Sequence, residues 1–183
     1  MAPGDETDDD LEPMSFRRRT ARLLAVLIVV LIIGMWGYAL FGPTPHRAPG
    51  VLSDRSFPTA AQPICAEAAA VIASQPPAYA TSDPVKRSAA ISAGDEALAA
   101  MLDRLAVIAP APGSSKDADM IAEWLGDWRT YLGDRQRYAD ALLTDPKARL
   151  YVSIKERRQI SEPIDFFANI NHMLECSTPT DVS

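Results

Sequence analysis

The chain has 183 residues, with 18 Lys and Arg against 24 Asp and Glu, giving a formal net charge of −6 at pH 7. That length holds one modest domain plus appendages, and the acidic balance argues against nucleic acid as a partner. Two Cys and two His supply a four-ligand zinc site only if all four converge, and no phosphate-cradling Gly loop or other cofactor motif is present.

Residues 1–15 are acidic, almost free of aliphatics and bracketed by Pro3 and Pro13, the composition of a disordered tail. Residues 16–22 then place Arg17, Arg18, Arg19 and Arg22 before an uncharged run, Leu23 to Phe41. As a helix, those 19 residues rise about 28 Å, close to the hydrocarbon thickness of a bilayer. The arginines on the near flank predict a cytoplasmic N-terminus, and Trp36, Tyr38 and Phe41 suit the headgroup zone at the far end. A cleaved signal peptide has a shorter apolar core and small residues at its end. Gly37-Tyr38-Ala39 does spell a small-x-small site, but Trp36 and Tyr38 are bulky, so the segment reads as a signal-anchor. Residues 42–63 carry Pro43, Pro45, Pro49, Pro58 and Pro63, which predicts an extended stalk.

From residue 64 to 176 the pattern is helical. Ala66 to Ser74 places Ile64, Ala68, Val71 and Ile72 on one side and stops at Pro76-Pro77. Pro84, preceded by Ser82 and Asp83, opens a helix with Ile91, Leu98, Leu102, Leu105 and Ile108 in register, and Gly94 softens its middle. Ser114 or Ser115 caps a third helix, Lys116 to Leu143, whose seam runs Ile121, Trp124, Trp128, Tyr131, Arg135, Tyr138, Leu142. Its other side, with Glu123, Asp127, Thr130, Asp134 and Arg137, is expected to face solvent, and Gly126 and Gly133 to let a neighbouring helix come close. Residues 149–161 fit either a helix or a hairpin. A last helix starts at Ser161 or Glu162 and runs through Leu174, with a polar, frayed end at 177–183.

The expected fold is therefore all-α: a single transmembrane helix plus a small extracytoplasmic antiparallel helical bundle. On that oxidising side Cys65 and Cys176, near the two ends of the bundle, are expected to form a disulfide.

At Trp124, Trp128, Tyr131, Arg135 and Tyr138-Ala139, and again at Phe167-Ala168, Asn171, Met173 and Cys176, the chain resembles a group of small actinobacterial single-pass membrane proteins. They share a basic-flanked anchor, an aromatic helix and this ending. The likeness covers the last third well and the rest in layout, and it implies no activity.

No Ser-His-Asp or Cys-His pattern for nucleophilic catalysis stands out, and His172, with Asp165 and Glu175 nearby in sequence, reads as a packed or surface histidine rather than a proton relay. No catalytic, cofactor or metal residue is assigned. The residues singled out are Trp128, Tyr131, Arg135 and Tyr138, with Arg135 a permanent charge on an apolar seam, either anchored structurally against a ring and a carboxylate or recognising an anion in a cleft. Lys147, Arg149, Lys155, Arg157 and Arg158 make a basic cluster, a solvated face or a dock for anionic polymers or headgroups. The reading is a plasma-membrane protein presenting an interaction module that binds another protein or an envelope component. The alternatives are a relay to a cytosolic partner through the acidic tail, or an envelope enzyme.

Overall fold

The computed structural model describes residues 12–41 and 50–182, leaving aside the side chains of residues 12–19. These fall into two compact units that divide after Arg47.

The first unit is a single helix, α1 (Glu12–Phe41). It starts within the stretch expected to be a disordered tail and runs through the arginines without a break. Pro13 is harmless there because it lies in the first turn, where backbone N–H groups have no intrahelical acceptor. Residues 1–11 of the expected tail lie outside the described residues. Thr20–Phe41, 22 residues with a mean hydropathy of 2.6 and none of them buried, is long and apolar enough to cross a membrane.

The second unit is mostly helical: α2 (Ser56–Ala73), α3 (Pro84–Ile108), α4 (Lys116–Thr144) and α5 (Ser161–Ile170), with a hairpin of β1 (Ile154–Lys155) and β2 (Arg158–Gln159) before α5. Single 3-10 turns occupy Ala78–Ala80 and Leu174–Cys176.

The expected stalk at 42–63 is corrected: its last part is folded, and residues 42–49 lie outside the described ones. Pro58 falls in the first turn of α2, where its missing N–H costs nothing, and Pro63 sits in the helix interior with its ring exposed. Burial of Phe57, Ala61, Ile64, Cys65, Ala68 and Ile72 on the opposite side outweighs a proline cost of about 3 kcal/mol. Val71, expected on that side, is exposed. The chain before α2 is also packed. Buried Asn171 accepts from Leu52 N at 2.9 Å and donates to Gly50 O at 3.0 Å, which brings Leu52 into the core. The folded unit therefore begins near residue 50, not 64.

The helix starts at α3 and α4 follow their capping signals. Asp83 accepts from the backbone N–H of Val85 and Lys86 at 3.0 and 3.3 Å, and Ser115 from Ala118 at 3.1 Å. The Asp95–Arg135 pair lies well back from the Pro110–Gly113 turn on both helices, so α3 and α4 run antiparallel. The α4 seam is buried as expected, and Trp124 sits at its centre, with the rings of Phe57, Trp128 and Phe167 at 6.2, 6.4 and 5.4 Å and its indole N–H donating to Ile164 O at 3.2 Å. A smaller cluster holds Ala78, Ile91, Tyr138, Ala139, Leu142 and Val182.

The side of α4 expected to face solvent is partly covered. Asp134 is buried and accepts from Ser153 N and Oγ at 2.6 and 2.9 Å, and Lys155 donates to Glu123 and Asp127 at 2.6 and 2.8 Å. These bonds hold the 150–159 segment down as a hairpin. Its two-residue turn, Glu156 and Arg157, has φ of 50° and 67°, the primed geometry that suits strand twist but costs non-glycine residues about 1–2 kcal/mol each.

α5 ends at Ile170 rather than Leu174. His172, with φ of 58°, makes the left-handed step; its N–H donates to Asn169 O at 3.0 Å and that of Met173 to Ala168 O at 2.8 Å. This is the double closure that ends many helices, usually with Gly in the left-handed place. His172→Gly is accordingly expected to raise stability by about 1 kcal/mol, seen as a higher urea midpoint at unchanged slope. The terminal stretch is not frayed through 182: Thr178 N and Oγ1 donate to Asp165 at 2.7 and 3.0 Å, Ala78 N to Asp181 O at 2.8 Å, and Val182 is buried.

Candidate functional site

The chemistry of the second unit concentrates where α2, α3, α4 and the terminal segment meet. Arg135 is fully buried there. Its Nε donates to Asp95 Oδ1 at 2.5 Å, and Nη1 and Nη2 donate to the two oxygens of Asp181 at 2.7 and 2.8 Å. The planar guanidinium fork suits this bidentate grip, and its Cζ lies 6.0 Å from the Tyr131 ring centroid. Burial alone would lower the Arg135 pKa, but Asp181 and Asp95 outweigh it and hold the group charged. Asp95 goes the other way: burial pushes its carboxyl above the usual aspartate value despite Arg135, and its Oδ2 has no partner among the described residues. Burial likewise raises the pKa of Tyr131.

Gly94 makes this arrangement possible. A Cβ there would lie 3.2 Å from Arg135 Nη2 and 3.2 Å from Asp181 Oδ2, whereas at Gly126 it would meet nothing within 4 Å. At Gly133 it would meet only Arg137 Nη1, at 3.4 Å. The close approach expected at Gly126 and Gly133 thus belongs to Gly94. Gly126→Ala is expected to gain about 0.5–1 kcal/mol from helix propensity, while Gly94→Ala loses about 1–3 kcal/mol by overpacking. Urea unfolding of a fragment covering 48–183 reads both.

Next to the ion cluster lies a cleft of about 360 Å³. Its buried lining is apolar, with the Cys65 side of the disulfide, Ile72, Leu98, Met101 and Trp128. Gln75, Tyr79, Glu175 and Thr180 line it where it is more open, and Asp181 borders it from the ion cluster. The Trp128 indole N–H is buried without a partner among the described residues. Among the described residues no Lys or Arg lines the cleft, and Asp181 already occupies the guanidinium. The space therefore suits a neutral or cationic group with an apolar body, at the small end of ligand pockets.

Of the residues singled out from sequence, Trp128, Tyr131 and Arg135 come together here, with the Trp128 and Tyr131 rings 5.8 Å apart. Tyr138 does not join them; it packs in the smaller cluster with Arg87 Cζ 5.9 Å from its ring. Cys65 and Cys176 are joined, their sulfurs 2.05 Å apart. His172 is an exposed helix terminator and Asp165 binds Thr178. Among the described residues no three His, Cys, Asp or Glu side chains gather as a metal would require. Asp95 and Asp181 were missed, although Asp95 falls in the three-four register of Ile91, Leu98 and Leu102, a carboxylate on a buried seam that mirrors Arg135. Asp181 has no periodic signal. No protein family, curated protein or solved structure matches the chain.

Proposed function

We propose that this chain is a single-pass protein of the plasma membrane, with its N-terminus in the cytoplasm and its disulfide-closed helical unit outside, where it binds another protein or an envelope component. The observation that carries the reading is the coexistence in one chain of the exposed apolar helix Thr20–Phe41, with Arg17, Arg18, Arg19 and Arg22 at its near end against only the more distant Arg47 and Arg55 beyond it, and a unit closed by the Cys65–Cys176 bond. The flanking charge supports the orientation, and a stable disulfide fits the oxidising side of the membrane. Binding rather than chemistry is favoured because the buried charges of the unit are spent on one another. Arg135 is fully engaged by Asp95 and Asp181, while the adjacent cleft offers shape and apolar surface to part of a partner. A reporter active only in the cytosol is expected to work fused before Met1 and to fail after Ser183. Activity at the C-terminal fusion would overturn the orientation, and with it the external module.

A further inference from the structure

We propose that the hairpin segment 147–159 docks on the anionic headgroups of the same membrane that α1 crosses, an inference that rests on the membrane reading above. In a chain of net charge −6, this segment is locally basic. Lys155 is already bound by Glu123 and Asp127, but Lys147, Arg149, Arg157 and Arg158 are exposed and none of them forms an ion pair among the described residues. The acids in the neighbourhood are Glu156, Asp145, which accepts from Lys147 N, and on α4 Glu123 and Asp127, which bind Lys155, and Asp134, which binds Ser153.

Exposed apolar groups stand among these bases: Tyr151 is 81% exposed and Ile154 66% exposed. Their neighbours Leu150 and Val152 pack inward, Ser153 is held by Asp134 and Lys155 is pinned to α4, which leaves Tyr151 and Ile154 as the outward side chains. Bases flanking an aromatic and an aliphatic side chain match a headgroup layer, which takes cations at the phosphates and amphipathic rings just beneath. A soluble polyanion would use the bases but leave Tyr151 and Ile154 without a role. The hairpin tip also keeps Glu156 and Arg157 in left-handed backbone where Asn-Gly would sit with less strain, and Arg157 is thereby held out at the apex.

Chain length supports the same partner. Eight residues, 42–49, join Phe41 to Gly50. Fully extended they reach no more than about 30 Å. The folded unit is therefore tethered close to the bilayer, where even weak headgroup contacts act at high effective concentration. Each base near an anionic surface contributes roughly a fivefold change in association.

The test uses the full chain in lipid nanodiscs of phosphatidylcholine alone or with phosphatidylglycerol, read by amide hydrogen exchange. Exchange across 147–159 is expected to slow at least threefold with phosphatidylglycerol, to recover in 1 M salt, and to stay fast in an R149Q/R157Q/R158Q variant. Residues 116–125 serve as the internal control and should not change. Equal rates in the two lipids, or slowing spread evenly over the unit, would overturn the proposal. Slowing by soluble polyphosphate but not by phosphatidylglycerol would do so too and would assign the patch to a polyanion. If the chain fails to enter nanodiscs at all, the anchor reading itself falls, a result distinct from an inserted chain whose hairpin exchanges freely.

Discussion

Arg135→Met is expected to destabilise the helical unit by about 3–5 kcal/mol, the usual cost of removing one partner from a buried ion pair. The substitution keeps the stem volume but leaves Asp95, almost wholly buried, and Asp181, mostly so, without their donor groups. Two escapes limit the loss. Asp95 can take up a proton, and Asp181 can swing into water if the terminal segment lifts and exposes Val182. The reciprocal change at Asp95 should behave differently. Its pKa lies above the ordinary 3.8, so folding favours its protonated form. That contribution is fully present below the unfolded pKa and is lost as pH rises through the folded one. Asp95→Asn imitates the protonated state, keeps an acceptor for Arg135 Nε, and is expected to cost less than about 1 kcal/mol at pH 7. It should also flatten the dependence of stability on pH in the range above 3.8. Urea unfolding of the 48–183 fragment across pH reads all of this. If Arg135→Met leaves the midpoint unchanged, the cluster does not hold the fold.

That fragment has to begin near residue 48, a point where sequence reasoning went astray for a physical reason. Helices with strong periodic seams and side-chain caps, α3 and α4, were legible to within a residue, because burial and capping both leave marks at fixed spacing. Proline density hid the first half of α2, whose second half was read as a helix at 66–74: Pro58 and Pro63 weigh against a helix locally, and only the burial of Phe57, Ile64 and Ile72 reverses that. A fragment starting at residue 60 would discard Leu52 and Phe57 from the core. The candidate site was half legible. Arg135 is conspicuous on an apolar seam, but Asp181 comes from a segment with no periodicity and finds its partner 46 residues away in sequence only through the tertiary fold. The turn at His172 was invisible for a similar reason, since the residue that usually marks it, Gly, is absent.

Loss of the Cys65–Cys176 bond is the other large expected effect. Cys176→Ala should cost about 2–5 kcal/mol, against a loop-entropy figure of about 4.7 kcal/mol for a loop of this order. The residues are 111 apart in sequence, so the bond ties α2 to the end of the folded unit. For a domain of this size the melting temperature should fall by about 8–20 °C. Intact mass after alkylation without reductant checks the premise, since two labelled thiols would show that the bond is absent. The bond also fixes the start of the segment that carries Asp181 to Arg135, because residues 177–182 leave directly from Cys176. Without it, that segment must be ordered by the Arg135–Asp181 grip, the Thr178–Asp165 bonds, the Ala78–Asp181 backbone bond and Val182. The two devices should therefore be coupled. Arg135→Met in a Cys65→Ala/Cys176→Ala background is expected to cost about 1 kcal/mol less than in the oxidised protein, because part of the grip is already lost. Strict additivity in that double-mutant cycle would mean that the terminal segment holds Arg135 whether or not the disulfide is closed.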